Sequence, residues 1–116
     1  MSFDTEVSWV GRTAVVAVRG DLDALTAPQF TEKILDVTAE QPSAVIIDLS
    51  SLDFLASAGI TALISANEYI TAKINAAFAV VADGPTTSRP LKLMAIDTVI
   101  DLHPKLQGAL DTYGTN

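Results

Sequence analysis

The apolar and polar positions divide the chain into short alternating elements. Val7, Trp9 and Val10 lead into Gly11-Arg12, a turn, and Ala14-Val15-Val16-Ala17-Val18 follows. This pattern predicts two strands in an antiparallel hairpin, with Gly20-Asp21-Leu22-Asp23 breaking the second. Thr26-Ala27-Pro28-Gln29 reads as a helix start, in which Thr26 caps, Pro28 fits the first turn and Gln29 completes a capping box. Phe30, Ile34 and Val37 then recur at helical spacing, with Glu32 and Lys33 on the wet side, until Gln41-Pro42.

Ala44-Val45-Ile46-Ile47-Asp48-Leu49 is an almost unbroken apolar run of strand length, as expected of a central strand covered on both faces. A short crossover rich in hydroxyls and small residues leads to the helical stripe Ile60, Leu63, Ile64, Ile70 and Ile74. Asn67 interrupts that stripe and is read as a buried, bonded side chain rather than a ligand contact. Ala76 to Val81 is a further buried strand, and Asp83-Gly84-Pro85 turns the chain. Thr86-Thr87-Ser88 offers caps, Pro90 fits an opening turn, and Leu91 and Met94 form a short helical face. Val99-Ile100 reads as a brief strand, Pro104 to Leu110 as a last helix, and Thr112–Asn116 as a frayed tail. The order β-β-α-β-α-β-α-β-α predicts an α/β fold, a mixed sheet with parallel βαβ units after an initial hairpin. No internal repeat, linker or low-complexity segment is visible.

With 116 residues the chain is expected to form one domain, 1–116, with a radius of gyration of roughly 13 Å. Hydrophobic residues make up 49% of it and are mostly aliphatic, which suits layered packing. No apolar run approaches the ~18 residues that would suggest a membrane span. The start Met-Ser-Phe-Asp-Thr-Glu has neither the basic nor the apolar region of a signal peptide. There is no cysteine, so disulfides, thiolate catalysis and cysteine metal sites are excluded. A soluble, cytoplasmic protein is expected. The net charge of −7 disfavours nucleic acid and suits either a partner with a basic face or simple solubility.

Catalytic sets are missing. His103 is the only histidine and is far in sequence from any serine motif, so a satisfied or exposed role is expected. Ala56-Ser57-Ala58-Gly59 lacks the first glycine of a nucleophile elbow, and the glycine-rich nucleotide loops are absent. Asp21 and Asp23 follow one strand and Asp48 ends another, so a Mg²⁺ site is conceivable at their shared sheet edge. The lysine that a phosphorylated receiver domain would carry after a later strand is missing from Ala82-Asp83-Gly84, and turn formation accounts for these aspartates and Asp53. No enzyme, metal or cofactor is expected. The stretch from Asp48 to Leu63 is different in kind. It joins a strand to a helix, where free N–H groups and the positive end of a helix dipole suit recognition or phosphate chemistry.

Two segments resemble a known family. Gly20-Asp21-Leu22-Asp23-Ala24-Leu25-Thr26-Ala27-Pro28 is similar to the segment leading into the first helix of STAS domains, and Val45 to Ile60 is similar to their hallmark strand-loop-helix. The order of elements agrees over essentially the whole chain, and the size resembles that of the small, stand-alone bacterial anti-sigma-factor antagonists. The resemblance implies a STAS fold, with a four- to five-stranded mixed sheet, an N-terminal hairpin and about four helices. It implies partner switching. The antagonist binds an ATPase-like kinase, the anti-sigma factor, and frees a sigma factor; phosphorylation at the start of the second helix breaks the complex and a phosphatase restores it. It points to Asp21, Asp23, Asp53, Phe54, Ser57, Ala58 and Gly59 as partner-binding residues.

One departure matters. Members of the family read Asp-Ser-Ser-Gly-Leu and carry phosphate on the serine before the glycine; here the run is Ala56-Ser57-Ala58-Gly59-Ile60. The usual acceptor position is Ala58. Either Ser57 takes the phosphate one residue earlier, with Thr61 a weaker candidate, or the antagonist stays unmodified and Ser57 is only the helix cap. Family likeness also admits another role, as a STAS subunit of a transporter or stress-sensing assembly. It admits nucleotide binding too, but nothing in the chain resembles a base pocket.

Overall fold

The computed structural model describes residues 3–114. The hairpin forms as expected: β1 (Phe3–Val10) pairs antiparallel with β2 (Thr13–Leu22), and Gly11 turns between them at φ +59°, a conformation that glycine adopts without strain. β2 is longer than the sequence suggests. Gly20-Asp21-Leu22 is not a break but the end of the strand, with a register irregularity between Gly20 and Asp21. Gly20 has φ +91°, so glycine lets the strand bend there and continue.

After α1 (Ala27–Thr38), β3 (Ala44–Asp48) lies parallel to β2, from Thr13 opposite Ala44 to Ala17 opposite Asp48. The expected crossover contains a strand of its own, β4 (Leu52–Leu55), which pairs parallel with the end of β2. β3 and β4 therefore follow one another along the same side of β2. β5 (Ala77–Val81) pairs with β3, and β6 (Asp101–His103) with β5. The sheet order is β1-β2-β3-β5-β6 with β4 against β2, giving six strands among the described residues.

The remaining helices are α2 (Ser57–Glu68), continued by a π-helical segment over Tyr69–Ile74, then α3 (Ser88–Leu93) and α4 (Leu106–Tyr113). Alternation along the strands divides the core into two layers. Val16 and Val18 of β2, Val45 and Ile47 of β3, and Phe78 and Val80 of β5 face Phe30, Ile34, Ile60, Leu63, Ile70 and Leu91. Val15, Ile46, Ala79 and Val81 face α4 on the other side, around Ala109. β3 is thus covered on both faces, as its unbroken apolar run predicts. The Cα radius of gyration is 12.7 Å.

Several local expectations shift. The strand near the C-terminus is Asp101–His103 rather than Val99-Ile100: a 3₁₀ turn over Ile96–Thr98 precedes it, and Ile100 is drawn into the core. α4 begins at Leu106, and Thr112 and Tyr113 are helical instead of frayed. The Thr13 hydroxyl donates to the Tyr113 carbonyl at 2.6 Å, and the Tyr113 hydroxyl to Asp101 at 2.5 Å, which ties this end down. Thr115 and Asn116 lie outside the described residues. Met94 does not share the buried face of Leu91; it caps the C-terminus of α3 and is exposed. Asn67 is half-buried, and its amide donates to the Val99 carbonyl over a long 3.5 Å. Among the described residues no helix is long and apolar enough to cross a membrane.

Candidate functional site

The chain leaves β2 and β4 at the same end of the sheet, the carboxyl end of the parallel strands, where α/β folds present their loops. In register, Asp21 stands opposite Phe54 and Leu22 opposite Leu55. The turn after β2 is built by Asp23 and Thr26. Asp23 Oδ1 accepts the N–H groups of Leu25 and Thr26 at 3.0 and 3.1 Å. The Thr26 hydroxyl accepts the Asp23 N–H at 3.0 Å and donates to the Asp21 carbonyl at 2.8 Å. That hydroxyl reaches backwards, and Thr26 already has helical backbone angles, so the expected capping box with Gln29 does not form. Asp48 is likewise a turn residue, accepting the Ser50 N–H at 3.0 Å. Among the described residues, no group of three or more acidic or histidine side chains is placed to hold a metal ion.

β4 delivers the chain to α2. Ala56 is the extended N-cap residue; its N–H donates to the Leu22 carbonyl at 3.0 Å, and its own carbonyl accepts Gly59 and Ile60 at 2.9 and 3.0 Å. Ser57 is therefore the first residue of the helix and not its cap. Its side chain is exposed and makes no hydrogen bond among the described residues. Ala58 is half-buried behind it, and Gly59 is buried. A Cβ on Gly59 would lie 2.5 Å from the Leu22 carbonyl oxygen and 2.9 Å from side-chain atoms of Leu22 and Leu55, so only glycine fits. Thr61, one turn further, is exposed on the same side as Ser57.

The structure thus gathers Asp21, Asp23, Phe54, Ser57, Ala58 and Gly59 around the ends of β2 and β4. Asp53 and Phe54 both point to solvent from β4, and Phe54 is 52% exposed. Sequence reasoning did not single out Leu25, 85% exposed in the Asp23 turn, or Arg89 and Leu93 on α3. The available signal was weak: an apolar residue inside a turn, and one beside a helical stripe.

A second polar cluster lies away from this end of α2. His103 Nε2 is 2.9 Å from Asp101 Oδ2, the same oxygen that accepts the Tyr113 hydroxyl. Burial alone would raise the Asp101 pKa; hydrogen bonds from Tyr113 and His103, with the imidazole charge, outweigh it and hold the carboxyl below its ordinary value. Burial, and then the bond to the Asp101 carboxylate and its charge, push the Tyr113 phenol up to about 12. His103 is satisfied here by its bond to Asp101.

Against known proteins, the model of the STAS domain family matches residues 5–109. The chain belongs to the STAS domain family. This STAS domain is 39% identical over 97 residues to the anti-sigma-F factor antagonist RsfB of Mycobacterium tuberculosis, covering 84% of this chain and 78% of that protein. It matches the crystal structure of an anti-sigma factor antagonist from Mycobacterium paratuberculosis with a TM-score of 0.89 and 38% identity, over 97% of this chain and 94% of that one. An anti-sigma-factor antagonist domain protein from Planctomyces limnophilus shares the fold at a TM-score of 0.76 and 21% identity, over 96% and 98% of the two chains.

Proposed function

We propose that this chain, as one STAS domain, is an anti-sigma-factor antagonist. It binds a kinase-like anti-sigma factor through the junction 48–63, frees a sigma factor, and loses its partner when Ser57 is phosphorylated; a phosphatase reverses the change. One observation carries the Ser57 assignment. The side chain stands exposed at the first position of α2 with no capping bond to give up, whereas Ala58 has no hydroxyl and is half-buried. A phosphate adds about −1.5 to −2 charge and three acceptors. At a helix N-terminus it meets free N–H groups and the positive end of the dipole, so the antagonist tolerates it. In a closed interface it must be desolvated and adds to the charge of Asp53, the nearest acidic residue in sequence and itself exposed, so binding is lost while the fold survives.

The test is incubation with anti-sigma factors of the same cell and ATP, followed by intact-mass spectrometry and fragmentation. One added phosphate on Ser57 is expected. Phosphate on Thr61, or none, removes Ser57 as the switch. In calorimetry the unmodified chain should bind an anti-sigma factor and Ser57→Glu should bind it more weakly. Absence of binding by the unmodified chain to every candidate defeats the antagonist reading.

A further inference from the structure

α1 and α2 pack on the same face of the sheet, with Ile34 of one and Leu63 of the other in the same core layer. Helices side by side normally interdigitate their side chains and leave few voids. Here the outer part of the contact stays unfilled. α1 offers Thr31, Ile34 and Leu35, and α2 offers Ala62, Ser65 and Ala66, in each case positions three and four apart that share one side of the helix. The α2 side chains are too short to reach across. A slot of about 210 Å³ remains, bounded also by Tyr69. Ile34 and Ala66 are buried in it, while Thr31, Leu35 and Ser65 are exposed at its mouth.

The walls restrict what can enter. No lining residue is charged, although the chain carries 14 acidic and 7 basic residues. Glu32, Lys33 and Asp36 of α1 line a separate groove toward β1 instead. A charged molecule in the slot would lose water and gain no counter-charge, so the occupant is neutral. The polar groups on the walls are the hydroxyls of Thr31, Ser65 and Tyr69, each able to donate or accept one hydrogen bond at the edge of an otherwise apolar space. Size narrows the choice further: an apolar cavity of about 150 Å³ holds benzene, so this one has room for a somewhat larger ring.

Tyr69 supplies the one aromatic wall, against which a second ring packs favourably. It is half-buried, and its hydroxyl makes no hydrogen bond among the described residues. It also opens the π-helical segment Tyr69–Ile74, a rare winding found frequently at functional sites.

We propose that the slot between α1 and α2 binds a small neutral aromatic molecule with one hydrogen-bonding group, of about the size of indole. Its ring lies between Ile34 and Leu35 on one side and Ala62 and Ala66 on the other, against Tyr69, and its polar group meets the wall hydroxyls. Ser57 does not line the slot, and the site stands whether or not the chain is an antagonist.

The experiment is titration of the ¹⁵N-labelled full chain with indole, followed by NMR. Saturable shifts centred on the lining residues are expected, with a Kd below about 1 mM. Benzoate, a charged ring of similar size, should bind at least about tenfold more weakly. Ala62→Leu fills the slot and should weaken indole binding at least about tenfold. Ala62 is half-buried, so Ser65→Leu, which blocks the exposed mouth, is the second variant, and thermal melts show which of them is folded. Leu25→Ala, at a residue 85% exposed elsewhere, is the control and should change binding less than about twofold. Weakening in either folded variant supports the site. No saturable shift up to about 1 mM, shifts centred elsewhere, or binding kept within about twofold by both variants overturns it. Benzoate binding as tightly as indole overturns the neutral class.

Discussion

The Leu22 carbonyl oxygen and the α-carbon of Gly59 are pressed so close that a Cβ on Gly59 would stand 2.5 Å from that oxygen. The same carbonyl accepts the Ala56 N–H at 3.0 Å. The end of β2 therefore holds the start of α2 at two points, one bonding and one steric. This clamp sets where the helix begins, and with it the position of Ser57.

Gly59→Ala should destabilise the fold by about 1–3 kcal/mol, the ordinary cost of forcing a methyl group into a packed site. The carbonyl that blocks it is backbone and cannot rotate away. Urea unfolding measures this directly, and an unchanged midpoint would show that the clamp yields.

Ser57→Ala should be nearly silent in stability, within about 0.5 kcal/mol. A capping serine would cost about 1 kcal/mol. Chemical unfolding separates the two values, and the larger loss would return Ser57 to a capping role.

Asp23→Ala should cost about 1 kcal/mol or more, because two N–H groups of the turn lose their acceptor. Asp23→Asn keeps an oxygen at Oδ1 and should recover most of that stability. If binding to an anti-sigma factor follows the same order, Asp23 acts by shaping the turn; a defect in Asp23→Asn alone would indicate direct contact with the partner.

The Asp101–Tyr113 contact makes opposite predictions at the two ends of the pH scale. Tyr113 has its folded pKa raised to about 12, so its contribution is complete below about pH 10 and is lost as pH rises toward 12. Asp101 has its folded pKa lowered, so its contribution is present above the usual carboxylate range and is lost as pH falls through the depressed value. Tyr113→Phe should flatten the alkaline limb of a plot of urea midpoint against pH, and Asp101→Asn the acid limb. A variant whose limb matches that of the unmodified chain would show that its contact carries no linkage.

Elements with long, consistent patterns were legible. α1 showed in the spacing of Phe30, Ile34 and Val37, and β3 and β5 in their apolar runs, because each buries enough side chains to leave a periodic trace. β4 left no such trace. Only Leu52 and Leu55 of its four residues are buried, a three-residue spacing that fits a helix face and not the alternation of a strand, and the strand exists because the end of β2 offers it a ladder. Tyr113 reads from the sequence as part of a frayed tail because its anchors, Thr13 and Asp101, belong to other strands.

The sequence by itself determined the α/β order, the hairpin, the doubly covered central strand and the family likeness, all of which rest on local periodicity and contiguous motifs. Only the tertiary structure decided which residue opens α2, which aspartates are committed to turns, and that α1 and α2 leave a slot between them. The physical reason is the same in each case. A cap, a steric clamp or a slot is made by groups that meet only when separate segments pack, and the pattern around either group alone does not record its partner.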